Sequence, residues 1–206
     1  MKLLLGIYID DSGIGANTDE QIATLTQWGQ GKWDLVEMIV AGNEAIFNGF
    51  ASASQLAGFI ADVRSKFRAV GYSGPVGTTE PLGTFQENAA TLCPAVDYAG
   101  ANIHPFFNTD VTAESAGDFV AKQIEDLAAA CGSKMEAYNL ESGWPSSGLP
   151  NGAAIPGSWD QKVALEGILS AAGSKSSIFS FENDPWKAPG PFQVEQFWGC
   201  ADIFND

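Results

Sequence analysis

Residues 35–44 read Leu35-Val36-Glu37-Met38-Ile39-Val40-Ala41-Gly42-Asn43-Glu44. Residues 35–41 are rich in β-branched and small apolar side chains, the composition of a strand buried on both faces of a parallel sheet. From Ser52 the spacing changes. Leu56, Phe59, Ile60, Val63 and Phe67 recur at three and four residues, which is one apolar face of a helix. Strand, polar junction and helix together make one β-then-α unit, and the junction carries a carboxylate.

The same unit recurs on both sides. Further strands are expected over residues 3–9, 75–79, 98–103, 135–140 and 177–181. Further helices are expected from Thr18 with Ile22 and Leu25, from Thr112 with Val120, Ile124 and Leu127, and from Ser158 with Val163, Ile168 and Leu169. A shorter helix is expected at 84–92. Each longer helix begins at a Ser or Thr able to cap its first turn. Repeated β-then-α order implies an α/β domain, a parallel sheet with helices outside, open or closed into a barrel. Six strands over residues 1–206 form a single domain.

Twenty-five acidic residues against ten basic ones give a formal charge of −15. That field repels phosphate backbones and anionic lipid, so neither nucleic acid nor a membrane is an expected partner, whereas a neutral polysaccharide meets no such penalty. No apolar run approaches the roughly 18 residues that span a bilayer. The opening Met1-Lys2-Leu3-Leu4-Leu5 is followed at once by strand residues and by Asp10 and Asp11, so it reads as a buried strand rather than a leader. The three cysteines lack zinc-site spacing. Cys93 and Cys131 both follow helical segments and can pair, leaving Cys200 over; the other reading is three buried free thiols.

The residues just past each strand carry the chemistry. Asp10-Asp11, Asn43-Glu44, Glu80, His104, Glu141 and Glu182 succeed the six strands in order. In a parallel sheet these positions share the C-terminal edge, where sites of α/β proteins are built. Oxygen-rich clefts bind Mg²⁺ or Ca²⁺, or they flank a glycosidic bond with one protonated and one ionised carboxylate. Tyr8, Phe47, Phe106, Phe107, Tyr138, Trp144, Trp159 and Trp186 favour sugar, because a flat ring offers an apolar face to a pyranose. No metal and no cofactor is therefore expected. Asn43, beside Glu44, can hydrogen-bond a substrate 2-hydroxyl. His104 reads either as a cleft wall or as a satisfied core histidine.

Val40-Ala41-Gly42-Asn43-Glu44-Ala45 resembles the acid/base strand of glycoside hydrolase family 17, and Asn139-Leu140-Glu141-Ser142-Gly143-Trp144-Pro145-Ser146 resembles its nucleophile strand. Asn102-Ile103-His104-Pro105-Phe106-Phe107 and Phe181-Glu182-Asn183-Asp184-Pro185-Trp186-Lys187 are similar to the fungal branch. The resemblance implies a TIM-barrel (β/α)8 enzyme that cleaves or transfers β-1,3-glucan with retention. It makes Glu44 the acid/base and Glu141 the nucleophile, about 5–5.5 Å apart. Asn43, Tyr8, His104, Phe106, Tyr138, Trp144, Glu182, Trp186 and Lys187 then become substrate-binding candidates.

In that family the two glutamates follow strands four and seven, so the six strands here correspond to strands three to eight. The barrel is then incomplete, with Met1-Lys2 internal, a secretion signal further upstream and open edges through which chains can associate. The expected location is extracellular or in a cell wall. The leading expectation is retaining hydrolysis of β-1,3-glucosidic bonds. Glucan transglycosylation uses the same glutamates, and a non-catalytic glucan-binding wall protein is the reading of another class.

Overall fold

The computed structural model describes residues 2–132 and 134–204; Met1, expected to be internal, lies outside them. The elements in chain order are β1 (Leu3–Ile7), α1 (Ala16–Trp28), β2 (Val36–Asn43), α2 (Ala53–Ala69), β3 (Val76–Pro81), α3 (Leu82–Glu87), α4 (Ala89–Leu92), β4 (Ala99–Asn102), α5 (Ala116–Ala130), β5 (Ala137–Ser142), α6 (Ser158–Ala172) and β6 (Ser176–Ile178). The six strands are parallel and pair in the order β1-β2-β3-β4-β5-β6. All six expected strands are present, and short 3₁₀ turns fill several connections.

The helices follow their apolar faces unequally. α2 buries Leu56, Phe59, Ile60, Val63 and Phe67, all five expected residues, and Ser52 caps it: Ser52 Oγ accepts from Gln55 N–H while the Gln55 side chain returns to Ser52 N–H. Thr112 plays the equivalent part before α5, its N–H donating to Ser115 Oγ. The other two expected caps do not form. Gly15 caps α1, with Thr18 inside its first turn, and Ser158 is the first residue of α6 behind Gly157. In α6 the buried stripe is Gln161, Ala164, Leu165, Ile168 and Ala172, so Leu169 points to solvent.

β1 departs from the expectation of burial on both faces. Leu4 is 43% exposed and Tyr8 50%, whereas Ile7 and Ile9 are buried. One face of this terminal strand packs inward and the other meets water, the alternation typical of a half-buried strand. Just beyond it, the Gln21 amide donates to Tyr8 C=O and accepts from Tyr8 N–H, as a neighbouring strand would.

Two compact units make up the chain: Met1–Ala101 with Leu127–Ala137, and Asn102–Asp126 with Tyr138–Asp206. In the first, Cys93 at the end of α4 and Cys131 just past α5 form a disulfide with Cα atoms 5.4 Å apart. Trp33, Phe67 and Tyr72 form a ring cluster there, and burial pushes the Tyr72 hydroxyl up to about 12. In the second unit Cys200 is a buried free thiol donating to Ser180 C=O, and burial raises its pKa. Reducing Cys93–Cys131, which closes a separation of 38 residues, is expected to cost about 4 kcal/mol through released chain entropy. Melting curves with and without reductant should then differ by roughly 8–16 °C.

Candidate active site

In the first unit the strand ends prepare one carboxylate. The β2–β3 register shifts between Val40 and Asn43, where Gly42 takes φ 85°. A Cβ at Gly42 would lie 2.9 Å from Leu56 Cδ1 and 3.2 Å from Ile9 Cδ1, so the glycine is needed both for its backbone angle and for space. The irregularity re-aims Asn43 and Glu44, a common use of a strand break beside a site. Glu44 itself adopts φ 52°, a left-handed conformation that costs a non-glycine residue on the order of 1–3 kcal/mol. Its N–H donates to Thr79 C=O at 2.9 Å, and its C=O accepts from Asn48 N–H and Asn48 Nδ2, both at 2.9 Å.

β3 supplies the second carboxylate of this group. Glu80 is wholly buried, and its two oxygens accept from the N–H groups of Ile46 (2.9 Å) and Phe47 (3.1 Å). Burial raises its pKa, the two amide donors oppose that shift, and the charge of Glu44 adds to it. Asp10 is of another kind. The Ser12 hydroxyl and amide, with the Asn17 amide, hold its carboxyl below the usual range, so it closes its own loop.

In the second unit the β5–β6 register shifts between Asn139 and Ser142, and Glu141 lies within that interval. Glu141 C=O accepts from Ile103 N–H, while Ser142 Oγ donates to Ile103 C=O at 2.7 Å, locking the end of β5 to the segment after β4. Gly143 comes next because a Cβ there would sit 2.3 Å from Phe179 O. The Glu141 side chain, 31% exposed, brings Oε1 within hydrogen-bonding distance of His104 Nε2, at 3.0 Å. Edge-on contacts with Trp198 (centroids 4.9 Å), Phe107 and Phe179 (6.0 Å each) fix the His104 ring. Its Nδ1 is buried without a partner among the described residues, and its Nε2 faces Glu141. The result is an accessible carboxylate oriented by a histidine whose own ring is held among aromatic side chains.

The profile of the BtgE/BtgC glycoside hydrolase domain matches residues 1–199. The chain belongs to this glycoside hydrolase family. Among its relatives, proteins named probable beta-glucosidase btgE from Aspergillus flavus and Aspergillus fumigatus are 50% and 48% identical over 205 residues, all of this chain. The chain spans about a third of the length of these curated relatives, 33% and 36% respectively. In fold it is similar to a glycoside hydrolase family 17 β-1,3-glucanosyltransferase from Rhizomucor miehei, with TM-score 0.78 and 22% identity, covering 97% of this chain and 71% of that one. An endo-laminarinase from Formosa aligns with TM-score 0.64 and 16% identity, over 90% of this chain and 59% of its own. The fold is that of a (β/α)8 hydrolase, with six of its strands present.

Within this glycoside hydrolase domain the expected site residues fall into distinct places. Asn43 and Glu44 stand at the end of β2, ahead of the loop amides that Glu80 of β3 holds, and His104 joins Glu141. Tyr8, half exposed, lies just past β1. Tyr138 is half-buried at the second position of β5, three residues short of Glu141. Phe106 and Trp144 require correction: both are 0% exposed and present no face to a sugar. Phe106 packs on Trp144 at 5.5 Å, and Trp144 Nε1 donates to Ile155 C=O. Phe107, next to Phe106, is the exposed ring of the two, at 46%. Trp186, 78% exposed, stands next to Lys187, whose ammonium pairs with Asp184 at 2.9 Å and lies over the Phe179 ring at 4.8 Å. Glu182 lines a cavity of about 400 Å³ with Asn183 and Asp202. Glu80, Phe179 and Trp198 were not among the expected site residues. Glu80 stood in the row of strand-end acids, while nothing local in the sequence singles out the two rings.

Proposed function

We propose that residues 1–206 act as one retaining β-1,3-glucan-active domain in which Glu141 is the nucleophile and Glu44 the acid/base. The observation that carries this reading is the Glu141–His104 pair, an accessible carboxylate oriented by a histidine that aromatic rings hold in place. In the first step Glu141 attacks the anomeric carbon. The glycosidic C–O bond breaks, and the leaving oxygen takes the proton of Glu44. In the second step Glu44 accepts a proton from the incoming hydroxyl, whose oxygen attacks the anomeric carbon and releases Glu141. In this reading Asn43, beside Glu44, bonds the 2-hydroxyl, and Tyr8, Phe107 and Trp186 offer exposed rings to the sugar faces.

The choice of β-1,3-glucan is supported by the Rhizomucor miehei glucanosyltransferase, which has been crystallised as an active-site mutant in complex with laminaritriose. That neighbour also favours a second reading, in which the incoming hydroxyl belongs to a sugar and the domain transfers glucan to it. The Cys93–Cys131 disulfide supports an oxidising location, outside the cell or in its wall.

Incubation with laminarin and with laminari-oligosaccharides, with products identified by mass spectrometry, tests both readings. Shorter products are expected from hydrolysis, and products longer than the starting oligosaccharide from transfer. Binding without turnover would replace either reading with a glucan-binding wall protein.

A further inference from the structure

Among the described residues Glu80 is the buried carboxylate, and the proposed chemistry does not use it. A wholly buried carboxylate is an expensive way to tie a loop, since a hydroxyl or an amide oxygen can accept the same hydrogen bonds at lower desolvation cost. The amides it holds are not remote from the chemistry. Ile46 and Phe47 are the second and third residues after Glu44, and both Glu80 oxygens are engaged, one on each amide. The residue before it, Thr79, accepts the N–H of Glu44 itself. Consecutive residues of β3 therefore clamp the backbone at Glu44 and just beyond it, across the left-handed angle at which Glu44 stands. Such an angle persists only where the surroundings enforce it.

We propose that Glu80 is a positioning residue for Glu44: its buried carboxylate, by holding the Ile46 and Phe47 amides, fixes the turn that aims the Glu44 side chain at the leaving-group oxygen. This rests on the assignment of Glu44 as acid/base. A residue that acts through Glu44 matters only where Glu44 matters. Cleavage of a sugar–sugar bond needs a proton delivered to a poor leaving group. Departure of 2,4-dinitrophenolate needs none, and azide attacks the glycosyl-enzyme without a general base.

The test is Glu80→Gln in the full chain, with its fold checked by circular dichroism and melting. The kcat/KM for laminaritriose should fall about 100-fold, the loss typical of a misplaced catalytic group. The kcat/KM for 2,4-dinitrophenyl β-laminaribioside should fall less than about threefold, and azide should restore its kcat. Equal losses on the two substrates would overturn the proposal and make Glu80 a general stabiliser of the fold. Glu80→Asp, which keeps the charge and shortens the reach, is read by the same ratio and serves where Glu80→Gln does not fold. Wild-type protein inactive on both substrates would overturn the acid/base assignment and the proposal with it, an outcome distinct from equal losses in an active enzyme.

Discussion

Glu141→Ala should lower turnover of laminari-oligosaccharides by on the order of 10⁴-fold or more, because no glycosyl-enzyme can form without the carboxylate that attacks the anomeric carbon. The fold should survive. Glu141 is 31% exposed at the end of β5, and the hydrogen bonds that lock this strand end run through the Glu141 carbonyl and the Ser142 hydroxyl, neither of which changes. The substitution does strip His104 Nε2 of its partner, in a ring whose Nδ1 already has none among the described residues. Glu141→Gln keeps an acceptor at that point and should be equally inactive, which separates lost chemistry from a disturbed histidine. Azide gives the decisive product. In Glu141→Ala it can occupy the vacated space and attack an aryl β-glucoside directly, yielding an α-glycosyl azide. A variant retaining wild-type turnover would remove Glu141 from the mechanism.

The parts of the structure legible in the sequence are those fixed by local pattern. The five apolar residues of α2 recur at helical spacing over a long segment, and each is buried. The strands stand out because parallel strands covered on both faces need continuous apolar runs. β1 shows the limit of that signal. Leu3-Leu4-Leu5 is as apolar as any strand, yet Leu4 faces water, because periodicity describes an element and not what lies across from it. The caps at Thr18 and Ser158 failed for a related reason: a hydroxyl near a helix start does not decide which residue the first turn begins on.

In the candidate site the carboxylates carry a local sequence signal and the rings do not. Glu44 and Glu141 are marked by Gly-Asn-Glu and Glu-Ser-Gly, and the structure gives both glycines a reason, a left-handed angle at Gly42 and a close backbone approach at Gly143. Phe106 and Phe107 are adjacent in sequence but sit in the tight 3₁₀ turn Pro105–Phe107, where successive side chains diverge by about 120°. One ring is buried while its neighbour is exposed, and composition cannot say which. Trp198 and Phe179 come to His104 from the C-terminal part of the chain, so their role depends on contacts between segments far apart in sequence. Glu80 was visible as a strand-end acid. Its partners, two backbone amides of another loop, have no sequence signature at all.

Glu44→Ala should behave differently from Glu141→Ala in a way that tests the pair as a pair. Loss of general acid catalysis should cost about 10²- to 10⁴-fold on laminari-oligosaccharides. With 2,4-dinitrophenyl β-laminaribioside the first step no longer needs the proton, so the glycosyl-enzyme on Glu141 should form and accumulate, seen as a burst of dinitrophenolate and then slow turnover. Azide attacks that intermediate from the face opposite Glu141, and the product is a β-glycosyl azide, the reverse of the configuration expected from the nucleophile variant. The left-handed angle at Glu44 bears on stability in the same experiment. Alanine at φ 52° gains nothing from the removed carboxylate, while the backbone bonds to Thr79 and from Asn48 remain, so the melting temperature should stay close to that of the wild type. Opposite azide configurations from two stable variants would assign both carboxylates at once. The same configuration from both would show that one of them is not where the chemistry occurs.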